Sequence, residues 1–241
     1  MSTPTASVPR RIVITGAGRG LGLGLARHFA EAGHTVFGCV RNPDTATDLA
    51  AVASRVLRVD VTDAASVQAA AAELDDLGGV DVVINNSGID ARALGGERET
   101  SGVLDIEPAH FLGQMEVNAV GPILVTRAFV PLLRNGVHPT ILNVSSQLGS
   151  MEVGASGGSD IGYNASKAAL NMITVKSATT LASDGIAVVA VHPGWVQTDM
   201  GGSSAAISID ESAAALVALV GNLTIADSGR FLRWDGVEHP W

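Results

Sequence analysis

Short runs rich in valine and isoleucine alternate along this chain with longer alanine- and leucine-rich segments, a rhythm that few folds accommodate. A short run that is apolar throughout suits a strand buried on both faces, and the longer segments suit crossover helices, so the expected fold class is α/β. Strands are expected at Arg11–Thr15, Thr35–Val40, 55–59, 80–85, Thr140–Val144 and 187–191, with a seventh at 230–234. Asp63 is placed to cap a helix over 64–77, and Gly33 and Gly185 to end the helices before them. Connections of this kind are right-handed crossovers, which gives a doubly wound parallel sheet of about seven strands with helices on both faces. With 241 residues and no linker or repeat, the chain reads as a single domain over 1–241, residues 1–9 being flexible.

Composition narrows the partners. A formal net charge of −9 without any local basic run argues against nucleic acid, and 46% hydrophobic against 16% charged residues argues for a compact core. Apolar runs such as 213–220 fall short of the roughly 20 residues a membrane span needs. Arg10 and Arg11 directly precede a strand rather than a long apolar segment, which is unlike a secretion signal. The expectation is a cytoplasmic protein with a small-molecule partner, no nucleic acid and no membrane. Cys39, the single cysteine, reads as a packed strand thiol.

The first strand runs straight into TGAGRGLGLG and then an apolar-periodic helix. Glycines there admit positive φ and let backbone N–H groups approach a pyrophosphate whose charge favours the helix N-terminus. The spacing from Thr15 through Gly16, Gly20 and Gly22 is T-G-x-x-x-G-x-G, which resembles that of the short-chain dehydrogenase/reductases and implies a Rossmann fold. Further segments extend the resemblance over nearly the whole chain. Asp60-Val61 is similar to the family's adenine-contacting pair, and Asn85-Asn86-Ser87-Gly88 to its N-N-A-G segment, with Ser87 a small departure. Pro193-Gly194-Trp195-Val196-Gln197-Thr198 resembles the stretch that cradles the nicotinamide, with Pro193 and Gly194 shaping the turn and Val196 and Thr198 offering polar groups. From these segments the implied cofactor site takes Gly16, Arg19, Gly20, Leu21 and Gly22, then Asp60 and Val61, then Asn86, Ser87 and Gly88, and lastly Pro193, Gly194, Val196 and Thr198.

The second strand ends in Cys39-Val40-Arg41, without the carboxylate that would bind a ribose 2′-hydroxyl. Arg41 and Arg19 are instead suited to fork around a 2′-phosphate, which favours NADP(H); as solvated loop residues they would need no such role. Asp44, beyond Pro43, stands too late to replace the missing acid.

Tyr163 and Lys167 lie one helical turn apart, and they are the chain's only tyrosine and one of its two lysines. Reduction of a carbonyl needs a hydride and a proton, and a phenol with a reference pKa of about 10 is a poor proton exchanger near neutrality unless an ammonium stabilises its phenolate. By resemblance, Tyr163 is the general acid/base, and Lys167 supplies that charge and binds the nicotinamide ribose. Asn143-Val144-Ser145-Ser146-Gln147-Leu148-Gly149 resembles the N-h-S-S-x-x-G segment, h being apolar. This makes Ser146 rather than Ser145 the partner of the substrate oxygen. Asn118 matches the family's catalytic asparagine, read either as support for a proton-relay water or as a helix-packing amide. No metal ligation is expected, and His192 reads as structural.

The segment from His192 to Gly202 and the tryptophan-bearing end resemble the subgroup of sniffer-type carbonyl reductases and C-factor-like proteins, which is NADPH-linked. The implied function is an NADPH-dependent reductase of ketones, aldehydes or imines, the alternative being a cofactor-binding regulator acting through a partner. A homodimer or homotetramer is implied by the family alone. Gln147, Leu148, Met151 and Trp195 are pocket candidates, 197–210 a substrate loop, and Trp234 and Trp241 either pocket, subunit-contact or C-terminal packing residues. Two glycine-rich loops, at 95–102 and 154–162, flank these segments.

Overall fold

The structure, a computed structural model, describes residues 8–98 and 101–241. Residues 1–7 of the expected flexible start lie outside the described residues, and Val8 and Pro9 are exposed without regular structure. Seven strands, β1 (Arg11–Thr15), β2 (Thr35–Val40), β3 (Arg55–Arg58), β4 (Val82–Asn85), β5 (Thr140–Val144), β6 (Ala187–His192) and β7 (Phe231–Arg233), pair in the order β3-β2-β1-β4-β5-β6-β7, every pair parallel. β4 starts two residues later than expected because Val80 N–H donates to the Leu132 carbonyl and the Asp81 side chain serves β1. The remaining strand ends move by one residue.

Side-chain alternation along each strand feeds two cores. From β1, Val13 joins a cluster with Val67, Phe129 and Leu181, whereas Ile12 and Ile14 join one with Phe29, Leu49 and Leu216. The first cluster is covered by α3 (Ala64–Ala72), α5 (Gly121–Leu133) and α6 (Ile161–Leu181), the second by α1 (Gly20–Glu31), α2 (Thr47–Ala50) and α7 (Ile209–Asn222). Asp63 caps α3 as expected, accepting from Ala65 N–H at 2.9 Å. That helix stops at Ala72 instead of 77, and a 3-10 turn at Asp75–Leu77 closes on Gly78 at φ +69°. Gly33 (φ +84°) and Gly185 (φ +68°) sit just beyond α1 and α6, the positions at which helix ends favour left-handed backbone.

α4 (Pro108–Met115) continues through a π turn at Glu116–Val120 into α5, making one rod over Pro108–Leu133. Within it Gly121 N–H reaches back five residues to the Glu116 carbonyl. This rod of 26 residues is long and apolar enough to cross a membrane by length and composition, which inspection of single runs missed because Glu116 and Arg127 interrupt it. Val125, Phe129, Leu132 and Leu133 are buried against the sheet, as in the core helix of a packed domain.

At the amino ends of the strands, charged groups satisfy one another. Asp81 accepts from Arg11 N–H (2.7 Å), Arg11 Nε (3.0 Å), Arg11 Nη2 (2.8 Å) and Val137 N–H (2.6 Å). Arg10 donates to the carbonyls of Val220 (3.2 Å), Asp81 (3.3 Å) and His138 (2.6 Å).

Candidate active site

The opposite ends of the strands open into a cavity of about 1040 Å³. Its centre lies outside β1 and β4, where the strand order reverses, the place an open parallel sheet offers to ligands. Thr15 and Asn86 join the two strand ends there. Thr15 Oγ1 accepts from the N–H groups of Asn86 and Ser87, both at 3.1 Å, and Asn86 Nδ2 donates to the carbonyls of Thr15 (2.9 Å) and Gly16 (3.2 Å). α1 starts beside them with Arg19 at its N-cap and no side-chain cap, so its first N–H groups face the cavity unfilled by the chain's own oxygens. A Cβ at Gly22 would lie 2.3 Å from the Gly16 carbonyl oxygen, so only glycine permits this close turn.

Each cofactor residue expected from the sequence lines this cavity. Gly16, Arg19, Gly20, Leu21 and Gly22 come from the β1–α1 loop, Arg41 from the end of β2, and Asp60 and Val61 from the segment after β3. Asn86, Ser87 and Gly88 follow β4, while Pro193, Gly194, Val196 and Thr198 follow β6. The Asp60 carboxyl is held below its ordinary pKa by hydrogen bonds from Thr62 N–H (3.0 Å) and hydroxyl (2.8 Å), with a smaller contribution from Arg41. Arg41 is exposed at the rim. Arg19 does not stand free beside it, because its Nη1 meets Asp199 Oδ2 at 2.7 Å. Asp44 instead faces Arg58 at 3.4 Å. Asn85 is buried in β4 and donates to Asn143 Oδ1 at 2.8 Å, a strand-to-strand amide bond away from the cavity wall.

Ser146, Tyr163 and Lys167 meet at the inner end. The Tyr163 phenol shares the cavity with Ser146, whose Oγ accepts from Leu148 N–H at 3.1 Å. Ser145, which also lines the cavity, donates to Asn171 Oδ1 at 2.6 Å. Lys167 Nζ donates to the Val144 carbonyl at 2.8 Å and lies 5.6 Å from the centre of the Tyr163 ring. Burial, only partly opposed by Ser146, pushes the Tyr163 phenol up to about 12. Burial likewise brings Lys167 down to about 8. Desolvation disfavours the charged form of both groups.

Asn118 is fully buried and off the cavity wall. Its Oδ1 accepts from Ile89 N–H (2.8 Å), and its Nδ2 donates to the Ile89 carbonyl (2.8 Å) and to Ser166 Oγ (2.9 Å), which in turn donates to the Tyr163 carbonyl (2.7 Å). Both polar atoms of the amide are thereby bonded within the chain. It still positions the site: a methyl on Gly88 would come within 3.4 Å of both Asn118 Oδ1 and Lys167 Nζ.

Gln147, Leu148 and Trp195 line the inner cavity, but Met151 does not. Met151 is exposed, and its N–H donates to the Trp241 carbonyl at 3.1 Å. Trp241 stacks on Phe231 with ring centres 5.3 Å apart, and Trp234 packs against the second core, so both late tryptophans serve C-terminal packing. Residues 197–207 are not loose: Gln197 N–H donates to the Ile207 carbonyl (3.0 Å), and Gly201 N–H to Thr198 Oγ1 (3.0 Å). His192 lines the cavity and is lowered to about 4, chiefly by burial. Cys39 is buried and raised to about 12, an inert thiol. Among the described residues, no group of three or more His, Cys, Asp or Glu side chains is arranged to hold a metal. Sequence reading missed Arg98, which also lines the cavity, because its partners Asp90 and Asp160 converge on it only in the fold.

A doubly wound parallel sheet with an uncapped helix start and a Tyr-Lys-Ser cluster at one crevice defines a Rossmann-type oxidoreductase. A family model for short chain dehydrogenases matches residues 10–207, and the chain belongs to that family. It is 39% identical to C-signal of Myxococcus xanthus over 166 residues, covering 68% of this chain and 94% of that protein. Its fold superposes on NADPH-bound carbonyl reductase from chicken fatty liver with a TM-score of 0.87 at 32% identity, covering 97% and 99% of the two chains. Carbonyl reductase Sniffer of D. melanogaster superposes with a TM-score of 0.88 at 30% identity, covering 97% and 100%.

Proposed function

We propose that this chain is an NADPH-dependent reductase that reduces the carbonyl of a ketone or aldehyde, or an imine, with Tyr163 as general acid. One observation carries the reading. The Tyr163 phenol and Ser146 stand in the same cavity as the uncapped start of α1, so a proton donor and a phosphate cradle share one space. NADP(H) fits the residues present. Its pyrophosphate suits the α1 N-terminus and the Gly22 turn, and its 2′-phosphate suits Arg41, with no carboxylate at the β2 end to repel it. Similarity to a carbonyl reductase whose structure holds NADPH supports the same choice.

When bound, the cofactor supplies the hydride. The chain's own residues supply the remainder. Ser146 and Tyr163 hydrogen-bond the substrate oxygen, and Tyr163 passes its proton to the oxygen as negative charge develops there. A phenol near 12 is suited to this direction, because an alkoxide holds a proton nearly as tightly as hydroxide, roughly 15.7 on the same scale. Lys167, anchored on Val144, places a positive charge near the transfer, and Trp195, Leu148 and Met200 of the 197–210 substrate segment bound the substrate space. Exposed Leu112, Ile123 and Met172 on the long rod and α6 support assembly as a homodimer or homotetramer.

The identity to C-signal favours a second reading, a cofactor-binding regulator acting through a partner. Tyr163→Phe separates the two. Loss of NADPH consumption across a panel of carbonyls and imines, with NADPH binding kept, is expected of the enzyme; undiminished turnover overturns it.

A further inference from the structure

Polar side chains along one face of α6 meet the end of β5 residue by residue. Tyr163, Lys167, Asn171 and Thr174 recur every three or four positions, so they form one stripe, and all four are buried. Thr174 Oγ1 accepts from Asn143 Nδ2 at 2.8 Å, Lys167 Nζ donates to the Val144 carbonyl at 2.8 Å, and Asn171 Oδ1 accepts from the Ser145 hydroxyl at 2.6 Å. Three consecutive residues are thus each tied to a different turn of the helix. A slide of either element by one turn would strand buried polar atoms, so the seam holds helix and strand in one register.

Asn171 makes a second bond to this segment. Its Nδ2 donates to the Gly149 carbonyl at 3.2 Å, so one amide holds both Ser145 and Gly149. Between those two residues lie only Ser146, Gln147 and Leu148, and all three line the cavity. Gly149 rests directly on the helix, where a Cβ would come within 2.7 Å of the Lys167 carbonyl carbon. Inside the turn, Ser146 Oγ accepts from Leu148 N–H at 3.1 Å and the Ser146 carbonyl from Gly149 N–H at 2.9 Å. An amide carries an acceptor and a donor on one planar group, which fixes the separation of the two ends it grips. Asn171 is not part of the cavity wall, so any influence it has on the reaction passes through the turn it holds.

We propose that Asn171 is a positioning residue for Ser146: its amide clamps both ends of the three-residue turn and sets the Ser146 hydroxyl against the helix that carries Tyr163 and Lys167. The proposal rests on the reductase reading for its chemical meaning, because that reading gives Ser146 its substrate oxygen. The clamp itself is measurable without turnover.

Amide hydrogen exchange of the full-length protein, followed residue by residue by NMR, reads the clamp. Asn171→Leu keeps the bulk of the side chain and removes both bonds. The Leu148 and Gly149 amides should then accelerate by about tenfold more than the core amides of Ile14 and Val83. A merely structural role, which lowers overall stability, would speed the turn no more than the core. Turnover tests the link to Ser146. Asn171→Leu should lower kcat/KM for a carbonyl roughly 10–100-fold while the NADPH dissociation constant stays within about twofold of wild type. Added to Ser146→Ala it should cost nothing further, because the group it positions is already gone. Equal acceleration of turn and core amides, or losses that add in the double variant, overturns the proposal. If Asn171→Leu does not fold, Ser145→Ala decides, since it frees one end of the clamp by removing a single hydroxyl. Selective acceleration at Leu148 and Gly149 then upholds the proposal, and its absence refutes it. Should the wild-type chain reduce no carbonyl or imine, the reductase reading fails alone, and the exchange rates still decide whether Asn171 holds the turn.

Discussion

The two ends of one sheet use polar side chains in opposite ways. At the amino ends Arg10, Arg11 and Asp81 bond one another and backbone groups, so the network is turned inward with only Arg10 Nε left over. At the carboxyl ends Asn86, Thr15 and Asn118 form a similar lattice, but it holds up a surface of N–H groups, hydroxyls and one phenol that point into a cavity. Closure at one end serves stability, and incompleteness at the other leaves bonds to be made with a ligand. If this contrast is right, substitutions at the two ends separate stability from activity.

The largest effect is expected at the open end. Tyr163→Phe removes one hydroxyl and should lower turnover by about 10²–10⁴-fold, with the thermal midpoint nearly unmoved; a matching loss of stability would blur the contrast. At the closed end, Asp81→Ala strands Arg11 and two backbone N–H groups and should cost about 3 kcal/mol in urea unfolding, while kcat per folded molecule stays unchanged. Asp81 also carries an acid signature. Burial alone would raise its pKa, but hydrogen bonds from Arg11 and Val137 lower it overall. Its stabilisation is thus present above the unfolded value of about 3.9 and lost as pH falls through the lower folded value, so Asp81→Asn should flatten the acid limb of a stability profile.

Smaller effects sharpen the picture of the open end itself. Arg41→Ala should weaken NADPH binding about tenfold and leave NADH binding unchanged, as expected for loss of one charge-assisted contact to phosphate; equal loss for both cofactors would refute the 2′-phosphate assignment. The smallest change is expected at Asp199. Both members of its pair with Arg19 are more than 80% exposed, so Asp199→Asn should leave the thermal midpoint unmoved. It should nevertheless tighten NADPH binding a few-fold by releasing Arg19, which calorimetric titration can read.

The strands were legible because most are short, chiefly apolar runs, and β1, β2 and β5 fall where hydrophobicity alone puts them, whereas β3 is flanked by Arg55 and Arg58. Glycine spacing and the Tyr163–Lys167 interval were legible for a related reason: both are local patterns. What escaped was set by distance in the chain. Nothing near Arg98 announces Asp160, 62 positions away, and nothing near Arg19 announces Asp199. The burial that raises the Tyr163 phenol is likewise a property of the packed molecule and not of a four-residue interval.

The π turn at Glu116–Val120 adds a residue to what is otherwise an ordinary helical rod. Each residue advances an α-helix by roughly 100°, so the turn works as a phase shift between two halves of one beam. The half before it and the half after it are keyed to different neighbours, and Asn118 sits at the joint, fastened to Ile89 and Ser166. Deleting one residue there would leave a regular helix of good propensity while turning Asn118 away from both partners. The rod would survive as architecture and lose its timing, which makes the irregularity, more than the length or the apolarity, the part of this helix that the site depends on.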